Sequence, residues 1–409
     1  MKKRLTALAA LTLGIAGGPA LAQYAFQTTI PVPASPDNNV GGVFATYDIS
    51  FFDPATQLDY VADRSNASVD IFSAATNSFV GRIGGSGHLF SGQTSSNDTS
   101  GPDGVVIGNN KLWVGNGNST LLSFNLPTNT PAFAPIATGP TSANRVDELA
   151  YNPNTHQIMA ANNAASPSPF LSLVDANTGT VTNTIPFNGL NGTPNATSGI
   201  EQPAFDPVTN RFYVSVPQVN GTGPGGVAQL DTSGNVTHFF DFAALGLGAG
   251  GACGPTGLAA GGGSLMVGCG NGSQSIILHP GAGPNGSITV IPGVGGEDEV
   301  WFDPVTKRYF LSARNNPGGP VLGIVDALTG ALLQKLATTP GDHSVAVDPI
   351  SGKVFVPFGA VAGNTVCPLG CIGVFAPLVG PVPEPGTYAL MLSGLGLLGF
   401  AARRSKRKQ

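Results

Sequence analysis

The 409-residue chain has a formal charge of −5, only 10% charged residues, 58 Gly and 34 Pro. Eight of its 18 basic residues lie at its two ends, and without those ends and Glu384 the net charge is near −12. That charge argues against nucleic acid or anionic lipid as a partner and is compatible with cation binding. Because 41% of the residues are hydrophobic, the glycines indicate turns between short strands rather than disorder.

The first 22 residues predict a cleavable secretory signal peptide. Basic residues 2–4 precede an apolar run at 5–16, and Ala-Leu-Ala ends at Ala22. This order is typical of a signal peptide cleaved between Ala22 and Gln23. The run is shorter than a membrane-spanning helix requires, which favours a signal over an anchor.

A hairpin unit then recurs along the chain. In the copy that starts at Asp298, alternating residues flank the tight turn Asp303-Pro304. Aligning the copies gives seven units spaced 42 to 55 residues apart, close to the roughly 40–50 residues of a four-stranded propeller blade. Their equivalent first residues, here called the anchor residues, are Asp48, Asp103, Asp147, Glu201, Thr256, Asp298 and His343.

These units predict an all-β fold, a seven-bladed β-propeller over residues 23–378. The seventh unit lacks a fourth strand, and residues 27–33 form a strand-like segment without a hairpin of its own. We therefore predict that the N-terminal strand completes the last blade and closes the ring, which removes two exposed edges. The sequence Tyr60-Val-Ala-Asp63, followed by Ser68-Val-Asp-Ile-Phe72, resembles the seven-bladed YVTN and YncE-like propellers. That resemblance implies a fold and names no ligand.

Residues 379–409 form a separate segment. Val382-Pro383-Glu384-Pro385 precedes an apolar run of 16 residues at 387–402 and a basic tail. The run is short of the roughly 20 residues of a comfortable membrane span, and the basic tail fits the cytoplasmic side. Motif, apolar helix and basic tail resemble the PEP-CTERM sorting signal of Gram-negative bacteria, with an ordinary tail anchor as the alternative.

The PEP-CTERM resemblance implies a route to the cell surface. It implies export through the inner membrane, attachment to that membrane through the C-terminal helix, and cleavage near Pro383-Glu384-Pro385 by an exosortase. The processed protein would then be released or re-attached at the surface, commonly in bacteria that make exopolysaccharide.

The four cysteines predict two disulfides. Cys253 lies just before a first strand and Cys269 just after the second strand of the same hairpin, while Cys367 and Cys371 share one loop. Export favours the pairs Cys253–Cys269 and Cys367–Cys371. Free thiols or a zinc site are the alternatives.

The anchor residues predict a ring around the mouth of the central channel, because the innermost strands of a propeller line that channel. One interpretation is a site for Ca²⁺ or another divalent cation, which takes oxygen ligands. The favoured interpretation is structural, with each acid accepting hydrogen bonds from backbone N–H groups of the next blade. Glu148, Glu299 and Asp342 are expected to point elsewhere or to join the rim. The candidate residues are Asp48, Asp103, Asp147, Glu201, Asp298 and His343.

The function is predicted from the expected location at the cell surface and from the absence of catalytic and haem-binding motifs. The chain contains no Gly-x-Ser-x-Gly, His-Glu-x-x-His or Cys-x-x-Cys-His sequence. We expect a monomeric, non-enzymatic protein that binds exopolysaccharide or a surface protein. Trp113 and Trp301 are predicted to be core residues, with sugar-stacking platforms as the alternative. The loops expected around the mouth are 84–101, 161–169, 216–226 and 243–254.

The alternative function is a metal-dependent hydrolase or lactonase that acts at the acidic mouth. Gluconolactonase-like propellers are similar in placing a divalent cation at such a mouth. Their set of metal ligands, however, has no residue-by-residue match in this sequence.

Overall fold

A computed structural model describes residues 23–139, 144–222, 224–247 and 253–378, and in those ranges the strands form seven sheets. Six of these sheets consist of consecutive strands of one repeat unit, and the seventh combines the last repeat with the N-terminal strand, so the predicted all-β, seven-bladed propeller is confirmed. The predicted signal peptide and sorting segment lie outside the described residues. No helix in the described ranges is long and apolar enough to cross a membrane.

The strands follow one another in the order of the repeats. After β1 (Tyr24–Pro31), the first three blades comprise β2 (Ser50–Asp53), β3 (Leu58–Asp63), β4 (Ser68–Ser73) and β5 (Ser78–Gly84); β6 (Val105–Gly108), β7 (Lys111–Asn116), β8 (Thr120–Asn125), β9 (Thr130–Pro131) and β10 (Ile136–Ala137); and β11 (Leu149–Asn152), β12 (Gln157–Asn162), β13 (Phe170–Asp175) and β14 (Thr180–Pro186). In the second blade, β9 and β10 both pair with β8, so its outer strand is interrupted.

The remaining four blades are built in the same way. Their strands are β15 (Pro203–Asp206), β16 (Arg211–Val216), β17 (Gly226–Leu230) and β18 (Val236–Asp241); β19 (Pro255–Gly261), β20 (Ser264–Cys269), β21 (Gln274–His279) and β22 (Ser287–Pro292); β23 (Val300–Asp303), β24 (Arg308–Ala313), β25 (Val321–Asp326) and β26 (Leu332–Ala337); and β27 (Ala346–Val347), β28 (Val354–Phe358) and β29 (Cys371–Pro377). A short 3₁₀ turn, Asn97–Thr99, lies in the loop after β5.

The Asp-Pro turns connect the two inner strands of a blade. Asp303 pairs with Arg308 at the end of the hairpin, and its carboxylate accepts hydrogen bonds from Val305 N at 2.9 Å and Thr306 Oγ1 at 2.5 Å. This side-chain bonding to the following turn is the reason that aspartate precedes proline here. Every such turn lies at the end of the channel opposite the anchor residues, because it ends the strand that an anchor begins.

The ring closes as predicted. The last sheet has the order β1-β29-β28-β27, so the N-terminal strand is the outermost strand of the seventh blade. Phe26 of β1 packs edge-on against Phe375 of β29, with ring centroids 5.6 Å apart. The blades form one compact unit, Ala25–Ala376, and a second unit contributes only residues 23–24 and 377–378 to the described chain.

The hydrophobic core is divided among the contacts between successive blades. Tyr60 of the first blade and Phe124 of the second belong to one cluster, and Phe52 stacks on Phe355 of the seventh blade at 5.8 Å. Trp113 is fully buried, as predicted, and its Nε1 donates to a backbone carbonyl at 3.1 Å. Because each blade buries its faces only against its neighbours, the whole ring is needed to bury them all.

Close backbone contacts bring the anchor residues together. A Cβ on Gly104 would lie 1.9 Å from the carbonyl oxygen of Asp147, and one on Gly257 would lie 2.6 Å from that of Asp298. Only glycine allows the inner strands of the neighbouring blades to approach so closely. Around the narrow channel that results, the equivalent residues of successive repeats lie next to one another as a ring of side chains.

Candidate functional site

The anchor residues meet at one end of the central channel. Five of the six candidate residues, all but Asp103, line a cavity of about 310 Å³ there, called the mouth below. Asp103 is fully buried beneath Arg64, and Thr256 lines an adjoining cavity of about 470 Å³ that also borders Asp298. The geometry of the inner strands thus brings together residues that lie far apart in the sequence.

Side chains that follow the second strand of a blade bridge the anchor acids. Arg64 Nε donates to Asp103 Oδ1 at 2.7 Å, and Arg64 Nη2 contacts Asp48. At the equivalent position of the third blade, Asn163 Nδ2 donates to Asp147 Oδ2 at 2.6 Å and lies 3.4 Å from Glu201 Oε1. These bridges join the first blade to the second and the third to the fourth.

Two further arginines complete the ionic network. Arg314, at the same position of the sixth blade, lies 2.8 Å from Asp298. Arg145 lies 2.8 Å from Asp147 and 3.5 Å from Asp48. Sequence reasoning missed these arginines, although aligning the residue after each second strand would have indicated Arg64, Asn163 and Arg314.

The hydrogen bonds of the anchor acids differ from those of the structural prediction. The bridges between anchor acids are made by side chains, whereas the prediction was backbone N–H groups. The residues that accept from backbone in this way are Glu297, from Cys269 N at 3.1 Å, and Glu299, from Val345 N at 3.0 Å. Glu299 therefore belongs to the wall between the sixth and seventh blades.

Burial changes the protonation of the anchor acids. It raises the pKa of Asp103 to about 7 despite the neighbouring guanidinium of Arg64, and the pKa of Glu201 to about 8. It also raises the pKa of Asp147 well above the usual range. For Asp48, burial opposes ionisation, but Arg64, His343 and Arg145 together outweigh it and hold the pKa below the usual range. The mouth therefore carries less negative charge than its number of acids indicates.

The donor set does not fit a divalent cation. His343 Nδ1 lies 2.7 Å from the carbonyl oxygen of Gly341, and its Nε2 lies 3.2 Å from that of Tyr47, on whose ring it stacks. Both ring nitrogens are thus engaged with the backbone, and the acids are paired with arginine and asparagine. In the described ranges, no group of three or more His, Cys, Asp or Glu side chains is arranged to hold a metal ion.

The two predicted disulfides are confirmed. Cys253 bonds to Cys269, with Cα atoms 4.6 Å apart, and Cys367 bonds to Cys371, with Cα atoms 6.0 Å apart. No cysteine is free. The alternatives of free thiols and of a zinc site are therefore wrong.

A second, apolar cavity of about 380 Å³ occupies the other end of the channel. Trp301 lines it and is only partly buried, so this predicted core residue lies at the edge of the core, packed against the cluster that contains Phe52 and Phe355. Among the described residues, Glu148 is the one that lines both this cavity and the mouth. The carboxyl group of Glu148 therefore lies between the polar cavity at one end of the channel and the apolar cavity at the other.

The C-terminal segment matches a known sorting signal. A family model described as "PEP-CTERM protein-sorting motif" matches residues 381–407. The motif indicates a protein that is exported and sorted to the cell surface of a Gram-negative bacterium, and it implies an exosortase as the processing partner.

The propeller is similar in fold to solved structures of low sequence identity. One is a chain of Kuenenia stuttgartiensis hydrazine synthase, 13% identical, with a TM-score of 0.62 over 84% of this chain and 97% of that one. Another belongs to a mitotic checkpoint complex, also 13% identical, with a TM-score of 0.57 over 91% and 98%. At this identity the likeness shows the fold alone. No curated protein sequence matches the chain significantly.

Proposed function

We propose that this exosortase-sorted propeller is a non-enzymatic binding protein of the cell surface, and that its mouth holds a glycan of the exopolysaccharide matrix. The observation that carries the proposal is the mouth itself, where carboxyl, guanidinium and amide groups from several blades converge on a cavity of about 310 Å³. A glycan offers hydroxyl groups, each of which can both donate and accept a hydrogen bond.

Unpartnered polar atoms support a ligand at the mouth. Arg145 Nε and Glu148 Oε2 are buried and have no hydrogen-bond partner within the described ranges. An unpaired buried polar atom costs about 1–3 kcal/mol, and more when it belongs to a charged group. A ligand hydroxyl or an ordered water that reaches these atoms would remove that cost.

One of the predicted loops is held against the mouth. In the 84–101 loop, Asn97 Oδ1 accepts from Arg64 Nη1 at 2.6 Å, and the carbonyl oxygen of Asp98 accepts from Arg145 N at 2.7 Å. The arginines that bridge anchor acids therefore also fix this loop. A variable loop on a rigid scaffold is where binding specificity usually lies. Of the 243–254 loop, residues 248–252 lie outside the described ranges.

The hydrolase alternative finds no support at the mouth. The metal that such an enzyme would need has no suitable set of ligands in the described residues, and the acids that would hold it are engaged with arginine. We therefore assign the mouth to binding.

A glycan array with the full-length exported chain tests the proposal. We expect binding to a subset of acidic or neutral polysaccharides, and a loss of about tenfold or more in Asp298→Ala/Arg314→Ala, because hydrogen bonds to charged groups are removed. Val208→Thr is the control, since Val208 is 68% exposed in an Asp-Pro turn at the opposite end. Binding that survives the double substitution, or binding to surface proteins alone, would contradict a glycan site at the mouth.

The processing step has its own test. Replacing Pro383, Glu384 and Pro385 together by alanine removes the centre of the sorting motif. We expect the variant to keep its C-terminal segment, seen as a larger mass, and to be missing from the cell surface. Normal processing of this variant would show that other residues direct the cleavage.

A further inference from the structure

The apolar cavity at the other end of the channel has the properties of a ligand site. Its wall carries aromatic side chains contributed by four blades, all of them only partly buried: Phe51, Tyr151, Phe205, Trp301 and Phe302. A cavity of about 380 Å³ lined by aromatic residues is in the size range of small-molecule sites. These rings pack against the core clusters on one side and leave another side open to the cavity.

The opening of this cavity is apolar as well. Pro153 and Pro207 of the Asp-Pro turns line it. An adjoining groove of about 320 Å³ shares Trp301 and Phe302 with the cavity and extends the apolar surface to Pro304. The ionic mouth and this apolar opening therefore present opposite chemistry at the two ends of one channel.

Two carboxyl groups, those of Glu148 and Glu299, line the apolar cavity, and they differ in their hydrogen bonds. Glu148 is 4% exposed, and its Oε2 has no hydrogen-bond partner in the described chain. The carboxyl of Glu299, at the equivalent position of the sixth blade, accepts from Ser344 Oγ and Val345 N. Glu299 is therefore held by its neighbours, whereas Glu148 keeps an oxygen available to a donor.

The surroundings of Glu148 favour positive charge. Burial and then the negative charges of Asp147 and Glu201 raise the pKa of Glu148 well above its usual range. A cation beside this carboxyl would relieve the repulsion among the three acids and favour their ionised forms. An anionic ligand would be repelled from the position beside Glu148, and a neutral ligand would gain no electrostatic attraction there.

We propose that the apolar cavity binds a small apolar primary amine, whose ammonium group pairs with Glu148 and whose hydrocarbon part packs on the aromatic wall. Pro153, at the opening, lies five positions after Glu148, which corresponds to roughly 16 Å of strand. An ammonium supplies three donors, one of which can bond the free oxygen of Glu148. The amine cavity and the mouth proposed for a glycan are separate cavities that, within the described ranges, share only the carboxyl group of Glu148.

Three probes of similar shape test the charge requirement. The full-length exported protein is titrated with 2-phenylethylamine, 2-phenylethanol and 3-phenylpropionate by calorimetry, and Trp301 emission is recorded in parallel, because Trp113 is fully buried elsewhere. We expect saturable amine binding with a change in emission, and at least tenfold weaker binding of the alcohol and the acid. Equal binding of alcohol and amine, or no amine binding at millimolar concentration, would overturn the proposal.

Substitutions locate the site. We expect Glu148→Gln to weaken amine binding at least tenfold, and Glu299→Gln and Asp298→Asn to leave it within threefold. Ala260→Phe adds a ring to the cavity wall, as Phe205 and Phe302 do in the neighbouring blades, and should block binding without touching Glu148. Near-UV circular dichroism checks that each variant is folded. Binding that Asp298→Asn abolishes and Glu148→Gln preserves would place the amine at the mouth and refute the inference.

Discussion

Arg64 of the first blade donates from Nε to Asp103 Oδ1 of the second blade at 2.7 Å. Both side chains are almost completely inaccessible to solvent, and the same guanidinium also contacts Asp48 of its own blade. One side chain thereby joins the anchor acids of two blades at the mouth. Each buried charge in such an arrangement is stabilised by its partner, because burial keeps out the water that would otherwise take the partner's place.

Removing Arg64 should destabilise the protein strongly. We expect Arg64→Met to lower the free energy of unfolding by about 3–5 kcal/mol, because it leaves two buried carboxyl groups without their shared cation. Arg314→Met is the matched control, since Arg314 and Asp298 are 36% and 24% exposed and such a pair contributes about 1 kcal/mol or less. Urea unfolding at pH 7 measures both, and equal losses would contradict a special role for Arg64.

Stability should fall as the pH rises from about 4 to about 8. Burial raises the pKa of Asp70 to about 6, of Asp103 and Glu297 to about 7, and of Glu201 to about 8. In this window the folded chain binds more protons than the unfolded chain, so the free energy of unfolding decreases with increasing pH. Asp48, whose pKa is lowered, acts in the opposite direction only below pH 4.

Urea midpoints at pH 5 and pH 8 test this pH dependence. We expect the higher midpoint at pH 5, and a smaller difference in Glu201→Gln, whose side chain resembles the protonated acid and no longer titrates. A midpoint at pH 8 equal to or above that at pH 5 would show that these carboxyl groups titrate normally in the folded protein.

The two disulfides should differ in their contribution to stability. The Cys253–Cys269 bond spans 16 residues and the Cys367–Cys371 bond spans 4. Loop entropy predicts about 3 kcal/mol for the longer loop and about 2 kcal/mol for the shorter one. We expect Cys253→Ala/Cys269→Ala to lower the midpoint of chemical unfolding more than Cys367→Ala/Cys371→Ala. The reverse order would indicate that packing, rather than loop length, decides their contributions.

The mouth should contain no stoichiometric metal. Its acids are paired with arginine and asparagine, and both nitrogens of His343 face carbonyl oxygens. After dialysis against metal-free buffer, we expect element analysis to find no bound metal in the exported protein. Asp147→Asn/Asp298→Asn keeps the size of both side chains and removes two of the carboxylates that a cation would need, so it is the matched variant for this measurement. One equivalent of Ca²⁺ in the natural protein and none in the variant would restore the cation interpretation.

Much of the fold could be predicted because its signals are local. Alternation around Asp303-Pro304 defines a hairpin within about a dozen residues, and repetition of that hairpin defines the blades. The pairing of Cys253 with Cys269 followed from their positions at one end of a single hairpin. Even the long-range closure by β1 was predictable, because the last repeat lacked one strand.

The site was predicted less completely, since its contacts join residues from different blades. The repeat gave the positions of the anchor acids, but Arg145 has no arginine counterpart two residues before any other anchor, and Arg64 reaches Asp103 across 39 residues of sequence. The surroundings of Trp301 and Glu148 could not be predicted for the same reason. Strand alternation gives the face on which a side chain lies, and only the packing of adjacent blades decides whether that face meets a core, an arginine or an open cavity.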